Sequence, residues 1–358
     1  MDGILPRDKG RIAKIDRQRQ ALVFDWRRRM FNIELPTSTK TATFTAYAFS
    51  SERIKSTTAK KEYAYEPGAT AKPHAYLLQI GVNHYQAKGC ELHGSVTDAE
   101  KLSEILTQRL TQRGLDVKPV RLVSSDSESG ATKQEIREAL KAIAAAARPD
   151  DVFILSFSGH GYGDKSGQFY ILPSDIQGSC LGVDDTLLKT AISADELAEW
   201  LRPIDAGEMT FVLDLCDSAS SVESNDFKPG PMGSRGLGQL AYDNRMRILA
   251  ASQSNQLAHE SDSLHQGLLS YALAQEGLVE GNADWNPVDQ EITLGEWLYY
   301  AADEVPQFRE KGEVNTGKGL IPIGAPTPAV KPYQVPAVFD FSKKDTLVLQ
   351  QAGSQTRQ

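Results

Sequence analysis

The stretch DVFILSFSGHG, residues 151–161, decides how this sequence is read. Its mostly apolar run from Val152 to Ser158 stops at a glycine-flanked histidine, His160, the pattern of a buried strand that delivers one polar group to its end. A second run, MTFVLDLC at residues 209–216, finishes in the same way on Cys216. Lying as parallel neighbours in one sheet, the two runs would bring His160 and Cys216 out side by side at the carboxyl edge, where open α/β sheets hold their ligands. The pair is a candidate base and nucleophile.

Outward from this stretch the grammar is one of strands alternating with helices. Residues 75–82, AYLLQIGV, read as a buried strand. Residues 94–109 place Val96, Ala99, Leu102, Ile105 and Leu106 at helical spacing, with Ser95 or Thr97 expected as the cap. A strand at 117–123 and a helix at 132–147 come next, the helix capped by Thr132, carrying Ile136, Leu140 and Ile143 on one face and stopped by Pro149. Beyond the histidine strand, GQFYILPSD at 167–175 reads as a short excursion, and 193–201 as a helix capped by Ser193. After the cysteine strand, residues 217–244 are rich in Ser, Gly and Pro and are expected to be a long loop, functional or mobile. A strand at 247–252 and helices at 267–279 and 294–305 complete the order. The fold class is therefore α/β: a mostly parallel sheet of about six strands, helices on both faces, right-handed crossovers.

The flanks differ. ALVFDW (21–26), FNIELP (31–36), TATFTAYAFS (41–50) and KEYAYE (61–66) alternate with period two and predict a small N-terminal antiparallel β segment, placed at 1–70 and expected to lean on the main domain or to belong to a larger β module upstream. A Pro/Gly/Ala linker, EPGATAKPH, separates it from the main domain, placed at 75–325; a proline-dense, partly disordered tail is expected over 326–358, with VFDFS at 338–342 as a docked strand.

Composition narrows the partners. An apolar fraction of 40% over 358 residues supports a sizeable core, and no apolar run is long enough to cross a membrane. The net charge of −8 opposes nucleic acid, although Arg27, Arg28 and Arg29 could touch an acidic partner. The N-terminus lacks the apolar core of a signal peptide, so a cytoplasmic location is expected. Cys90, Cys180 and Cys216 have no CxxC spacing, which predicts neither a disulfide framework nor a zinc site and leaves Cys216 free in a reducing compartment.

The chemistry is set by residue type and place. A thiol needs a base or cation beside it to become a thiolate near neutral pH, and an imidazole on the neighbouring strand supplies one. The backbone amides of Gly161 and Cys216 are the natural oxyanion donors. A serine hydrolase built on Ser158 or Ser218 lacks a GxSxG elbow.

In YLLQIGVNHY, ELHGSVTDAEKLSEIL, DVFILSFSGHGYG, FYILPSD, TFVLDLC, ILAASQSNQLAHES and GLLSYAL the chain resembles the caspase and metacaspase superfamily of cysteine peptidases, over roughly residues 75–278. AYAFSSERIKS is similar to the β segment that precedes the caspase-like domain in bacterial proteins with an upstream β-propeller. The resemblance implies a caspase-like fold, a Cys-His dyad of Cys216 and His160, and protein substrates. It also implies an S1 pocket of Asp98, Ser158 and Asp214, acidic as in metacaspases, taking Arg or Lys. Asp217, Ser218 and Ala219 stand where metacaspases usually carry HSG after the nucleophile. Relatives of this kind are often activated by cleavage between the cysteine strand and the next one, for which Arg235, Lys228 and Arg245 are the candidate sites in loop 217–245. No cofactor is required; calcium is a candidate ligand through Asp175 and Glu223, with Asp184 and Asp185, or Asp195, between them. An upstream regulatory domain or an activating protease is an expected partner. The rival reading is a catalytically inactive caspase-like interaction module.

Overall fold

In the computed structural model, which describes residues 35–46, 56–67, 72–163, 168–180, 185–214, 235–251, 259–261, 266–308, 316–317, 334–342 and 349–350, the first two strands pair antiparallel. These are β1 (Thr41–Ala46) and β2 (Ala59–Ala64), with Ala42 buried and β2 exposed throughout. The expected strands at 21–26 and 31–34 lie outside the described residues. Just ahead of β1, the Asp150 carboxylate accepts hydrogen bonds from Thr37 N (2.5 Å), Thr37 Oγ1 (2.8 Å), Ser38 N (3.3 Å) and Ser38 Oγ (2.5 Å). Partial burial works against the Asp150 charge, but these donors outweigh it and hold the carboxyl below its ordinary range. The N-terminal segment is thereby tied to the turn before the histidine strand.

The main body then runs β3 (His74–Val82), α1 (Ser95–Gln112), β4 (Asp116–Ser124), α2 (Lys133–Ala146) and β5 (Val152–Ser158). Three short strands form a separate antiparallel sheet: β6 (Gly161–Gly163), β7 (Phe169–Ile171) and, beyond α3 (Asp185–Thr190), β8 (Ile192–Ser193). Next come α4 (Ala194–Leu201), β9 (Glu208–Asp214), α5 (Arg235–Asn244) and β10 (Arg247–Ala250). Small strands β11 (His259–Ser261) and β12 (Gln266–Gly267) lead into α6 (Leu268–Tyr271), which continues as a π-helix over Ala272–Val279. The described chain ends with β13 (Glu291–Ile292), α7 (Leu294–Phe308), β14 (Thr316–Gly317), β15 (Ala337–Asp340) and β16 (Leu349–Gln350). Among the described residues the central sheet has six strands in the order β15-β10-β9-β5-β3-β4, all parallel except β15, which runs antiparallel to β10.

Period-two alternation divides this sheet between two cores. Leu77, Ile154, Val212 and Leu249 face one way and pack with residues of α1, α6, the π-helix and α7. Leu78, Leu155, Phe211 and Ile248 face the other way, onto α2, α4 and α5. Helices cover both faces, so the strands read as near-continuous apolar runs. The helix starts have identifiable causes. Thr132 with Glu135, and Ser193 with Glu196, form reciprocal capping boxes on α2 and α4.

Four sequence expectations need correction. Neither Ser95 nor Thr97 caps α1: Gly94 is the N-cap, Ser95 is buried inside the helix, and the Val96 N–H is taken by the Asn83 side chain at 3.2 Å. The polar stretch 217–244 is not loop to its end, because residues 235–244 form α5, whose Leu240 and Ala241 pack into the second core. Residues 267–279 are mostly a π-helix rather than an α-helix, and the Trp297 indole N–H donates to the Leu273 carbonyl at 3.0 Å there. Finally, Cys90 and Cys180 are joined in a disulfide, with Cα atoms 5.2 Å apart. Their separation of 90 residues left no local signal. They meet because the loop after β3 and the loop after β7 are held together at Lys88 and Ser179. A disulfide is not what a reducing compartment favours. Among the described residues, no helix is long and apolar enough to cross a membrane.

Gly81 on β3 fixes how closely α1 approaches the sheet, since a Cβ there would overlap the Ser95 carbonyl and lie 2.9 Å from the Val96 Cα. Both obstacles are backbone and cannot rotate away. Gly81→Ala is expected to destabilise the fold by about 3 kcal/mol through overpacking, read as a lower denaturation midpoint at unchanged slope. An unchanged midpoint would mean that α1 can retreat without cost.

Candidate active site

The parallel register of the central strands builds the site. Gly81 lies beside Ser158, and Ser158 beside Asp214, so β3, β5 and β9 contribute one cross-strand row at the carboxyl edge. By alternation, Ser158 and Asp214 share the face of Ile154 and Val212, toward α1. The missing side chain at Gly81 lets the first turn of α1 settle over this row, and Asp98, one turn in, reaches it. Ser158 Oγ donates to Asp98 Oδ2 at 2.8 Å, and Gly267 N–H donates to Asp98 Oδ1 at 2.9 Å. Ser270 Oγ donates to Asp214 Oδ2 at 2.7 Å. Asp98, Ser158 and Asp214 are 1%, 3% and 2% exposed, so the three converge inside the protein rather than on its surface. Gly267 sits against both carboxylates: a Cβ there would overlap Asp214 Oδ2 and come within 3.1 Å of Asp98 Oδ2. Asp214 Oδ1 is buried with no hydrogen-bond partner among the described residues.

His160 stands two residues beyond β5 and is buried. Its N–H donates to the Tyr85 hydroxyl at 2.8 Å, its carbonyl accepts from Leu172 N at 3.0 Å, and its ring lies 5.3 Å from that of Tyr85. Nε2 is 3.1 Å from the Cys90 carbonyl oxygen. A carbonyl only accepts, so Nε2 carries the proton and Nδ1 is the nitrogen able to take one. The β5–β9 contact continues past the strands, with Gly159 N–H donating to Asp214 O at 3.3 Å. Cys216 comes two residues after β9 and lies outside the described residues, as do Asp217, Glu223 and Lys228.

Residues 77–225 match the family model described as the metacaspase, peptidase C14 domain. Over that span the chain is similar to metacaspase-type cysteine peptidase domains. Metacaspase-1 of Schizosaccharomyces pombe is 26% identical over 170 residues, covering 45% of this chain and 37% of that protein. Metacaspase-1B of Neurospora crassa is 27% identical over 173 residues, covering 46% of this chain and 38% of that protein. This chain thus spans under two fifths of the length of either fungal relative. A crystal structure of a Geobacter sulfurreducens protein aligns over 78% of this chain and 97% of that one, with 15% identity and a TM-score of 0.46.

The remaining positions expected from the family resemblance are scattered. Gly161 opens β6 opposite Ile171. Arg235 is the first residue of α5, and Arg245, at φ 51°, links α5 to β10. Asp175 Oδ1 accepts from Lys133 N at 2.8 Å at the start of α2, while Asp185 and Asp195 stand in the first turns of α3 and α4; Asp184 is outside the described residues. Among the described residues, no three His, Cys, Asp or Glu side chains are grouped as metal ligands. Sequence reasoning missed Tyr85, Cys90, Gly267 and Ser270. The signal for Ser270 was a small hydroxyl side chain inside the otherwise largely apolar run GLLSYAL.

Ser270→Ala would leave a buried carboxylate oxygen short of a donor. The expected loss is roughly 1–3 kcal/mol of stability, measured by denaturant unfolding against wild type.

Proposed function

We propose that this domain is an endopeptidase that cuts protein substrates after arginine, less readily after lysine, with Cys216 as nucleophile and His160 as general base. The observation that carries the reading is the convergence of Asp98, Ser158 and Asp214 behind the ends of the two strands that lead to His160 and Cys216. Two carboxylates and a hydroxyl suit a guanidinium, whose planar fork makes paired charge-assisted hydrogen bonds that a lysine ammonium does not. An aspartate would meet like charge. A substrate side chain would take over donor positions now held by the Gly267 amide and Ser270.

In this reading the Cys216 thiol proton passes to His160 Nδ1, and the thiolate adds to the scissile carbonyl carbon. The amides of Gly161 and Cys216 receive the oxyanion. On collapse the C–N bond breaks and the imidazolium gives its proton to the leaving amine. Water, deprotonated by His160, then attacks the thioester and releases the acid and the thiol. The Nε2–H bond to Cys90 O keeps the imidazole in the tautomer this sequence needs.

Processing belongs to the same reading. Cleavage after Lys228, Arg235 or Arg245 would cut between β9 and β10 and release the strand end bearing Cys216 from β10 and the C-terminal elements. An upstream domain or activating protease would act on that step.

Fluorogenic peptides differing only at the residue before the cut should be cleaved in the order Arg, Lys, with Asp uncleaved. Cys216→Ala should abolish turnover, and His160→Ala should lower kcat by about 10²–10⁴. A preference for Asp that survives Asp214→Ala would overturn the pocket, and no reaction of Cys216 with a thiol-directed acyloxymethyl ketone would favour an inactive interaction module. Incubated alone, wild type should accumulate a cut between residues 217 and 246 that Cys216→Ala does not; equal cutting in both would assign it to another protease.

A further inference from the structure

The loop between β3 and α1, residues 83–94, holds His160 twice. Tyr85 accepts its backbone N–H, and the Cys90 carbonyl accepts from its ring. This loop has no regular structure and takes its shape from a second loop. Gln86 N–H donates to Ser174 O at 2.8 Å, Lys88 N–H to Gly178 O at 3.3 Å, and Cys180 N–H to Lys88 O at 3.0 Å. The two loops share a small apolar cluster, apart from both main cores, that contains Cys90, Cys180, Ala87, Leu172 and Ile176. The only covalent tie among the described residues falls on the residue whose carbonyl orients the imidazole: Cys90, joined to Cys180.

We propose that the Cys90–Cys180 disulfide is a positioning device for His160, holding the Cys90 carbonyl against Nε2, so that opening the disulfide loosens the base and slows the peptidase reversibly. This rests on the reading of His160 as the general base. Opening needs a dithiol reductant. Its thiolate attacks one sulfur of the bridge and the other leaves as a thiolate; the second reductant thiol then displaces the mixed disulfide. Overall the reductant is oxidised to its own disulfide, while Cys90 and Cys180 gain two electrons and two protons as thiols. With both sulfur-bearing residues almost fully buried, attack requires the two loops to part. Reduction therefore acts on the segment that carries the carbonyl.

The test is the imidazole itself. The full chain with Cys216→Ala, which leaves only Cys90 and Cys180 to react, is labelled with nitrogen-15 at its six histidines, and the His160 signals are identified by their loss in His160→Asn. The oxidised protein should show His160 as a single Nε2–H tautomer; after dithiol, or in Cys90→Ala/Cys180→Ala, the signals should move to averaged tautomer positions. With Cys216 present, that double variant should lose kcat by about 10–100-fold at unchanged KM, the size of effect expected from displacing a catalytic group by an ångström or so. Reoxidation of the dithiol-treated wild type should restore kcat. An unchanged His160 spectrum on reduction and in the double variant would overturn the proposal, as would free thiols at Cys90 and Cys180 by mass spectrometry of unreduced protein. A chain with no peptidase activity in any state would defeat the function proposed above, while the His160 spectrum would still decide this inference.

Discussion

Two carboxylates, Asp98 and Asp214, are buried against one glycine, and much of the structure can be understood as what makes that tolerable. Taking like charges out of water is costly unless each is met by donors. Here the donors come from separate places: the β5 hydroxyl of Ser158, the backbone of Gly267 and the α6 hydroxyl of Ser270. Each requires its element to be within hydrogen-bond reach. The register of β5 against β9, the approach of α1 over Gly81 and the start of α6 are thus constrained together.

The division of labour between sheet and loops reflects their rigidity. The row Gly81, Ser158 and Asp214 is set by parallel ladders and is covered by a helix on its own face. His160 lies beyond the ladder, where no sheet bond can orient an imidazole. Its orientation is borrowed from Tyr85 and Cys90 on a neighbouring loop, and that loop is in turn pinned to the segment after β7. The carboxylate row thus sits on the sheet ladders, and the imidazole on a part that needs extra restraint.

The other edge of the sheet uses charge differently. Arg247, buried on β10, pairs with Glu208 on β9 and with Asp340 on β15, the Arg247 Nε–Asp340 Oδ2 distance being 3.0 Å. A guanidinium with carboxylates on both neighbouring strands supports the antiparallel addition of β15, which covers what would otherwise be an open parallel edge. The apolar residues of the short β15, AVFD in sequence, favour a strand; the partner and direction came from the ion pairs and the ladder.

Much of the architecture was legible in the chain because it rests on local rules. Apolar runs of strand length, helical spacing at Leu102 and Leu106, and the boxes at Thr132 and Ser193 each work within a few residues. The same rules led to His160 and Cys216 as groups at strand ends, whereas Asp214 came from the family resemblance. They did not reveal the Cys90–Cys180 bridge, the Gly267 amide on Asp98, the Asn83 cap on α1 or the Cys90 carbonyl on His160. The bridge and the Gly267 and Cys90 contacts join residues dozens to more than a hundred positions apart, and two of those donors and acceptors are backbone atoms that every residue type possesses. Local composition determines which segments become strands and helices. Which backbone amide meets a buried carboxylate, and which carbonyl meets the imidazole, is decided only when packing brings distant segments together.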